Sequence, residues 1–517
     1  MNYPYQNFYQ FLHENGRKSP GKTALFIENE KVSNRALLEK VDRFACFLER
    51  EGIKAGDPVA LIVNNSEEFI IALFAIGRIG AVAIPLNTYL KAEEFVYILN
   101  DCKATLLLAS AATRNETAAL REKTAVRKTV WVDGCEACGE ADLAFDAALQ
   151  TEGSVLAAEP GLDDLAVVIY TSGTTGHPKG AMLSYRNIFS NMVAAKERFD
   201  ISPRDRFIVY LPMFHAFTLT VTVLLPIFNR SPLVVVKSIL PFANIIKQVL
   251  LKRVTIFVGV PDIYKALIRA KLPWYFMWFN RLRILVSGAS ALPYDTLEKY
   301  AGRFKRATLL EGYGLSECSP AVAVNPLHKQ KPRSVGIALA GYAAKVVDEE
   351  MMEVPCGKVG ELIVKGDCVM QGYLNRPEAT EATIQNGWLL TGDFATMDEE
   401  GYIYIVDRKK DLIISKGQNI YPREIEEHLH AHPGILAAAV VGLNDPNSGE
   451  VPVAFIEKEE GAELGSHDIR TYLKPHLANF KLPHHVFFVD KLPKNATGKV
   501  LKRKLKEELA AYMSGSY

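Results

Sequence analysis

Apolar and polar positions follow two different periods along the first part of the chain. After Ser33, apolar residues recur at helical spacing over 37–48, and a second helix capped by Ser66 is predicted to run to Ile76. Short apolar runs suited to buried strands occur between such helices, at 59–63, 81–84, 106–109, 165–169, 206–210, 233–236, 255–258 and 284–286. This alternation predicts parallel α/β sheets covered by helices.

The pattern changes after about residue 335. Short β-branched segments at 343–347, 360–364 and 402–406 are separated by Gly, Asp and Pro, and predict a small β-barrel-like subdomain over about 335–407. Beyond the charged run at 408–410, strands alternate with helices, one of which begins at Pro422. We therefore predict an α/β fold with a large N-terminal domain (1–409) and a small α+β C-terminal domain (410–517).

Two apolar stretches allow more than one interpretation. The segment 273–283 contains five aromatic residues and two arginines, and predicts either a core helix or a surface that contacts a membrane or a lipid chain. The stretch 69–86 is strongly apolar, but Arg78 and several glycines and prolines interrupt it. It is a poor candidate for a membrane span.

Composition and charge exclude several classes of protein. The 517 residues are 49% apolar, which suits more than one folded domain and excludes global disorder. Lysines and arginines number 60 against 59 acidic residues, so the net charge of +1 gives no electrostatic case for a nucleic-acid partner. The first residues have no signal-peptide pattern, and seven cysteines fit free thiols in the cytoplasm. Cys135 and Cys138 have metal-ligand spacing, but no second pair accompanies them, so we interpret them as incidental.

The stretch 170–180 reads YTSGTTGHPKG and is typical of a phosphate-binding loop. Its glycines allow a sharp turn with amide groups directed at an anion, and its hydroxyls and Lys179 add donors and one positive charge. The Walker A spacing does not fit, because Pro178 precedes Lys179. A polar surface turn with an incidental lysine is the alternative.

Two further clusters suit a flat ligand and a metal ion. In LEGYGLSECS at 310–319, two glycines flank Tyr313, so an aromatic ring can lie against a ligand that the backbone approaches closely. Ser316 and Glu317 add a hydroxyl and a carboxylate, and a carboxylate beside phosphate is the usual way to hold Mg²⁺. GASALP at 288–293 follows a predicted strand, where small residues leave room for a ligand. Tight turns are the alternative for both clusters.

Charged residues in three later motifs suit contacts with a polar ligand. Asp393 ends NGWLLTGDF at 386–394 and Arg408 lies in VDRKKD at 406–411, so a carboxylate and an arginine could contact ribose hydroxyls. In LPKNATGKV at 492–500, Lys499 follows a Thr-Gly turn that exposes it. Taken singly, each of these side chains could equally be an ordinary surface residue.

In their order along the chain, these motifs resemble those of the AMP-forming acyl-CoA synthetases, part of the adenylate-forming superfamily. The stretch 386–414 resembles the signature of the fatty acyl-CoA synthetases, and the resemblance covers nearly the whole chain. It departs from the family at Ser316, where threonine is common, although the hydroxyl is kept. The resemblance implies ATP, Mg²⁺ and coenzyme A as cofactors or co-substrates.

By this resemblance, one nucleotide would contact residues from every motif: Thr171, Ser172, Gly173, Thr174, Thr175, Gly176, Lys179, Gly288, Ala289, Glu311, Gly312, Tyr313, Gly314, Ser316, Asp393, Arg408 and Lys499. Tyr313 would stack on adenine, whereas Asp393 and Arg408 would bind ribose.

The resemblance also implies catalytic and conformational roles. Lys179, Glu317 and Lys499 would be catalytic, with Glu317 holding the metal and Lys499 bridging the carboxylate and the α-phosphate. Lys410 would be the hinge of a mobile C-terminal domain, and Lys416-Gly417 would lie near the path of coenzyme A.

The expected acyl pocket contains His215, Phe217, Gly288 and Gly312. A lone histidine among aromatics is more often a packed core residue than a catalyst. The family resemblance implies that His215 lines the acyl entrance, so we expect a pocket role and no acid–base role. No Asp or Glu occurs from 210 to 224, where related domains that select amino acids place an aspartate. An amino-acid substrate is therefore disfavoured.

The predicted activity is that of a long-chain fatty acid–CoA ligase acting in two steps through an acyl-AMP. An acyl-AMP ligase that loads a carrier protein, a ligase for aryl or medium-chain carboxylates, and a catalytically silent binding protein are the alternatives. The compact run 408–426 lacks the insertion that carrier-loading relatives commonly have after the hinge. Acyl chain length, peripheral membrane contact and oligomeric state, including a homodimer, stay open.

Overall fold

A computed structural model describes residues 1–134, 142–157, 159–171, 177–446, 448–494 and 498–513. It confirms the predicted fold class, in which a large N-terminal part built on parallel sheets precedes a smaller α+β part. The limits of the mobile domain, 410–517, stay a prediction.

The helices fall between successive strands in the N-terminal part and flank a single sheet in the C-terminal part. In chain order they are α1 (Phe8–Lys18), α2 (Asn34–Arg50), α3 (Glu67–Arg78), α4 (Ala92–Cys102), α5 (Arg114–Thr117), α6 (Leu120–Lys123), α7 (Phe145–Ala148), α8 (Tyr185–Arg198), α9 (Leu225–Phe228), α10 (Phe242–Leu251), α11 (Pro261–Arg269), α12 (Trp274–Phe279), α13 (Tyr294–Arg303), α14 (Pro377–Thr383), α15 (Pro422–Ala431), α16 (Ser466–Leu473) and α17 (Lys502–Met513). A π-helical turn over Thr218–Leu224 precedes α9.

The strands are mostly short and apolar. They are β1 (Thr23–Ile27), β2 (Glu30–Ser33), β3 (Pro58–Ile62), β4 (Val82–Pro85), β5 (Leu106–Ala109), β6 (Lys128–Trp131), β7 (Asp142–Ala144), β8 (Leu165–Thr171), β9 (Lys179–Ser184), β10 (Phe207–Val209), β11 (Leu233–Val235), β12 (Ile256–Gly259), β13 (Ile284–Ser287), β14 (Thr308–Gly314), β15 (Ala321–Val324), β16 (Ile337–Ala338), β17 (Ala343–Val347), β18 (Gly360–Lys365), β19 (Gly372–Tyr373), β20 (Ile384–Gln385), β21 (Trp388–Met397), β22 (Ile403–Arg408), β23 (Ile413–Ser415), β24 (Gln418–Ile420), β25 (Ile435–Asp445), β26 (Gly449–Lys458) and β27 (His485–Phe488).

Two large sheets form the N-terminal part. Their orders are β16-β15-β14-β13-β12-β10-β11-β1-β2 and β19-β9-β8-β4-β3-β5-β6-β7. The central pairs are parallel, as the strand–helix alternation predicts, and antiparallel strands lie at the edges. The carboxyl ends of β13 and β14 are therefore neighbours, which brings the motifs at 288–293 and 310–319 together.

The remaining strands form two smaller sheets. An antiparallel sheet, β17-β18-β21-β20 with β22 paired to β21, corresponds to the predicted β-rich subdomain. The C-terminal sheet is β24-β23-β26-β25 with β27 beside β26, and its apolar clusters contain only residues from Ile413 onward. This part thus has a hydrophobic core of its own.

Local sequence signals placed several helix ends correctly. The Ser33 and Ser66 hydroxyls accept hydrogen bonds from the backbone N–H groups of Ala36 and Phe69 at 3.2 and 3.3 Å, capping α2 and α3. Helix α15 begins at Pro422, as predicted, and it buries Ile425 and Leu429. Because these signals depend only on neighbouring residues in the chain, they can be recognised in the sequence without knowledge of the fold.

The apolar stretch 69–86 is divided between the buried helix α3 and the buried strand β4, and it spans no membrane. In the part of the chain that the structure describes, no helix combines the length and apolar composition needed to cross a bilayer. Cys135 and Cys138 lie outside the described residues.

The core-helix interpretation of 273–283 is wrong. Helix α12 buries only Phe276 of its aromatic residues, whereas Trp274, Tyr275, Trp278 and Phe279 are exposed. Aromatic composition indicated burial, but the helix lies at the rim of the apolar layer and turns one face outward.

Candidate active site

A single cavity of about 870 Å³ lies where the two large sheets, the β-rich sheet and the C-terminal part meet. Its volume is in the range of small-molecule sites. The predicted residues that line it are Thr171, Lys179, His215, Phe217, Gly288, Ala289, Gly312, Tyr313, Gly314, Ser316, Glu317, Asp393, Arg408, Lys410 and Lys499. Residues from six separate motifs therefore converge on one space.

The glycine-rich motif joins the antiparallel strands β8 and β9. Thr171 pairs with Lys179 in this hairpin, and the Thr171 hydroxyl donates to the Lys179 carbonyl at 3.5 Å. Ser172, Gly173, Thr174, Thr175 and Gly176, which were predicted to bind phosphate, lie outside the described residues. Thr171 and Lys179, at the two ends of the motif, both border the cavity.

Tyr373 links the lysine of this loop to Glu317, and the sequence analysis missed it. Strand β19 pairs Tyr373 with Ala181 of β9, and Lys179 Nζ lies 5.2 Å from the centre of the Tyr373 ring. The Tyr373 hydroxyl donates to Glu317 Oε1 at 2.9 Å. The available signal was a glycine before an aromatic residue, Gly372-Tyr373, the same pairing that distinguishes Gly312-Tyr313.

The residues around Glu317 fit a magnesium ion. Ser316 and Glu317 offer a hydroxyl and a carboxylate at the cavity wall, and Tyr373 orients the carboxylate. No cluster of three or more His, Cys, Asp or Glu side chains able to hold a metal occurs among the described residues. Mg²⁺ usually takes one or two protein carboxylates and completes its shell with phosphate and water, which this sparse donor set suits.

Tyr313, Asp393 and Arg408 form a connected group on the opposite wall. The Tyr313 hydroxyl donates to Asp393 Oδ2, and Arg408 Nε lies 3.5 Å from Asp393 Oδ1. Strands β21 and β22 pair Asp393 directly with Arg408. A carboxylate can accept hydrogen bonds from adjacent hydroxyl groups, and a guanidinium beside it can donate to them.

Small residues open the space between these walls. A Cβ atom at Gly288 would lie 2.8 Å from the Phe217 ring, so the close approach of that ring to the backbone requires glycine. Ala289 follows with a φ of 69°, in the left-handed region that non-glycine residues seldom adopt. Beyond Phe217 the lining is largely apolar, from Ala195, Phe199, Leu211, Val221, Val260, Val286, Ala321, Val324 and Leu339.

His215 lies at the edge of this apolar region. Burial lowers the pKa of its imidazole to about 4, so the ring is neutral near pH 7. Its Nε2 has no hydrogen-bond partner within the described residues, and the ring centre lies 4.5 Å from that of Phe214. These properties favour the predicted pocket role over acid–base chemistry.

Lys499 reaches the cavity from the C-terminal part. The pKa of its ammonium group is lowered to about 7, mainly by burial. The positive charges of Arg408 and Lys410 lower this pKa further, whereas the negative charge of Asp393 raises it. Lys494, on the same segment, donates to Asp262 Oδ2 of α11 at 2.9 Å. This ion pair fastens the segment that carries Lys499 to the N-terminal part.

Three predicted residues do not line the cavity. Glu311 was expected to contact the nucleotide, but its side chain does not line the cavity. Its carboxylate accepts a hydrogen bond from the Leu292 N–H at 3.0 Å, and burial raises the pKa of this carboxyl group to about 7. Its strand register directs the side chain away from the ligand space. Lys416 and Gly417 form the exposed turn of the β23–β24 hairpin, away from the cavity lining.

Comparison with known proteins identifies the family of this chain. The family model described as AMP-binding enzyme matches residues 12–374, and the one for the AMP-binding enzyme C-terminal domain matches 424–499. A feruloyl-CoA synthase of Amycolatopsis is 35% identical over 94% of this chain and 96% of its own length. A long-chain-fatty-acid–CoA ligase of Escherichia coli is 33% identical over 98% and 95%.

A solved structure has the same overall fold. ATP-bound MatB from Rhodopseudomonas palustris superposes with a TM-score of 0.88 at 32% identity, covering 97% of this chain and 98% of that one. With family-model matches to both of its parts, this chain belongs to the AMP-binding enzymes, the adenylate-forming CoA ligases.

Proposed function

We propose that this enzyme is a fatty acid–CoA ligase. A fatty carboxylate oxygen attacks the α-phosphorus of ATP, the bond to the β-phosphate breaks, and acyl-AMP and pyrophosphate form. The sulfur of coenzyme A then attacks the acyl carbon, AMP leaves, and the thiol proton passes to solvent. The proposal rests mainly on one observation. The same cavity has a largely apolar region, which could hold an acyl chain, directly beside the polar walls around Lys499 and Glu317.

The polar walls suit the nucleotide. The Tyr313 ring would lie against adenine, while the carboxylate of Asp393 and the guanidinium of Arg408 would contact ribose hydroxyls. Tyr313 and Arg408 both contact Asp393, so the three side chains would hold the nucleoside as one preorganised unit.

The charged groups suit the triphosphate. Lys179 would contact phosphate oxygens from one side of the cavity, and Lys499 would bridge the attacking carboxylate and the α-phosphate from the other. Glu317 and Ser316 would hold Mg²⁺, which neutralises phosphate charge when bound. Two anions approach each other in this step, so fixed positive charge lowers its barrier.

The second step would require a different domain orientation. Lys410 lies in the short turn between β22 and β23, the only chain connection from the β-rich sheet to the C-terminal sheet, and would be the hinge. Rotation there would withdraw Lys499 and bring the Lys416-Gly417 turn towards the path of coenzyme A.

A ligase for an aryl carboxylate is the second candidate. The observation that keeps it open is that a feruloyl-CoA synthase matches this chain at 35% identity, as closely as the fatty acid ligase does at 33%. A flat ring would lie near Phe217 and Gly288, whereas an alkyl chain would extend along Ala195, Val221 and Leu339.

A substrate panel tests the proposal. Pyrophosphate release and acyl-CoA formation are measured with ATP, coenzyme A and straight-chain acids of increasing length, beside ferulate and benzoate. We expect the highest kcat/KM for a straight-chain acid, because each buried methylene contributes about 0.8 kcal/mol.

Other outcomes would support other activities. A kcat/KM for an aryl acid that exceeds the value for every alkyl acid supports the second candidate. Acyl-AMP that coenzyme A does not discharge supports a carrier-loading ligase, and no pyrophosphate release with any acid contradicts ligase activity.

Lys499 is expected to serve only the first step. Lys499→Ala should lower pyrophosphate release by about 100-fold or more, since a charge-stabilising donor is lost, and should leave thioester formation from supplied acyl-AMP near the wild-type rate. Lys504→Ala, which removes an exposed lysine of α17, is the control for the loss of one charge. Equal loss of both steps in Lys499→Ala would falsify the assignment.

Binding of ATP should be accompanied by uptake of a proton, because Lys499 becomes protonated. With a pKa of about 7 in the free enzyme, this side chain is about one-tenth protonated at pH 8, and a bound polyanion favours its charged form. Calorimetric titration in buffers of different ionisation enthalpy should therefore record uptake of about 0.9 proton at pH 8, and less at pH 6. Lys499→Met should abolish this uptake. The same uptake in both proteins would refute the role of Lys499.

Tyr373 is expected to position Glu317 for the metal. Tyr373→Phe keeps the ring beside Lys179 but removes the hydrogen bond to Glu317, so the dissociation constant of Mn²⁺ in the ATP complex should rise about three- to tenfold. Electron paramagnetic resonance measures it directly. Tyr404→Phe, which removes a hydroxyl bonded to Asp398 outside the cavity lining, is the matched control. Unchanged Mn²⁺ affinity in Tyr373→Phe would contradict this role.

A further inference from the structure

Helix α12 presents an unusual aromatic surface to solvent. The exposed fractions are 74% for Trp274, 43% for Tyr275, 67% for Trp278 and 65% for Phe279. These four residues, here called the α12 aromatic face, lie at spacings of one and four, so they share one side of the helix. A surface of roughly 500 Å² results, which is large for a surface exposed to water.

The opposite side of α12 anchors it to the domain. Phe276 is buried in an apolar cluster with Tyr264, Leu282 and Tyr300, and Met277 packs against the same cluster. The backbone N–H of Phe276 donates to the Pro273 carbonyl at 2.9 Å, and Asn280 Nδ2 donates to the Phe276 carbonyl at 2.7 Å. The packing of Phe276 and Met277 against the domain therefore holds the aromatic face outward.

Positive charge surrounds the aromatic face. From 263 to 294 the sequence has five basic residues and no acidic residue. Arg269 forms an ion pair with Glu459, and Arg283 forms one with Asp205. In contrast, Lys271 and Arg281 are exposed and form no ion pair within the described residues. The Arg306 guanidinium lies 5.9 Å from the Trp278 ring centre. Lys271, Arg281 and Arg306 thus flank the face with cations.

This combination matches the chemistry of an anionic bilayer surface. Tryptophan and tyrosine have an apolar body and a polar edge, and they concentrate at the boundary between lipid headgroups and hydrocarbon. Lysine and arginine beside them are attracted to anionic headgroups. A six-residue helix is far too short to span a bilayer, so it would lie in the interfacial plane.

A second copy of this chain fits the surface less well. Two copies docked face to face would place Lys271, Arg281 and Arg306 against the same cations. The aromatic face also falls short of the ~800 Å² per partner of a standard interface. Both the charge and the area therefore favour lipid.

We propose that the α12 aromatic face and its flanking cations dock this protein reversibly on anionic lipid bilayers. The docking needs neither ATP nor an acyl substrate, so it is independent of the proposed function.

Vesicle binding tests the proposal with the full-length protein. Sedimentation with phosphatidylcholine vesicles is compared with sedimentation with equimolar phosphatidylglycerol and phosphatidylcholine. We expect binding to the anionic vesicles, weakened by salt, and a blue shift of tryptophan emission. In a Trp131→Phe/Trp388→Phe background, Trp274 and Trp278 are the remaining tryptophans, so the shift reports the aromatic face alone.

Two variants separate the aromatic and ionic contributions. Trp274→Ser/Trp278→Ser should lose binding to both kinds of vesicle. Lys271→Gln/Arg281→Gln should lower partitioning onto anionic vesicles about 30-fold and leave the weak binding to phosphatidylcholine unchanged. Leu156→Ser, which removes an exposed leucine outside this surface, is the control and should bind like wild type. An unchanged thermal unfolding midpoint verifies that each variant is folded.

Three outcomes would overturn the proposal. The first is no binding of the wild type to either vesicle, and the second is undiminished binding of the double tryptophan variant. The third is concentration-dependent self-association of the wild type, seen by sedimentation velocity and lost in that variant, without vesicle binding. That result would make the aromatic face an interface between copies of the chain.

Discussion

Positive charge concentrated in a buried cavity is the constraint on which the rest of the site depends. Lys179, Arg408, Lys410 and Lys499 line one space beside the carboxylates of Glu317 and Asp393. Burial and the neighbouring cations lower the pKa of Lys499 to about 7, so its charged form is costly while the cavity holds no anion. A polyanionic ligand removes that cost. Binding of a polyanion and protonation of Lys499 are therefore linked, and each favours the other.

Backbone pairing determines how these charges meet. Strand register places Thr171 opposite Lys179, Tyr373 beside the lysine strand, and Asp393 opposite Arg408. Asp407, next to Arg408, accepts from the backbone N–H of Arg423 in the C-terminal part at 2.8 Å. The site is thus built on rigid strands, while one short turn carries the connection to the small part.

The two halves of the cavity have different consequences for specificity. The polar half is assembled from motifs that suit a nucleotide, and it says little about which acid is activated. A feruloyl-CoA synthase and a long-chain-fatty-acid–CoA ligase match this chain at 35% and 33% identity, so overall identity does not separate the two acids. We expect the apolar wall, where Phe217 lies close to Gly288, to discriminate between the two acids.

The sequence alone determined the fold class, the capped helices and the motifs that meet at the cavity, because strand and helix periods, caps and glycine-rich motifs are local signals. It did not identify Tyr373, whose contact with the site depends on the pairing of β19 with β9, and it could not exclude Glu311, whose strand register turns its carboxylate away. It also left open whether the segment 273–283 is a core helix or an exposed surface. Whether an aromatic residue is buried, and which distant carboxylate a tyrosine meets, are decided by packing between segments far apart in the chain, and only the tertiary structure contains that information.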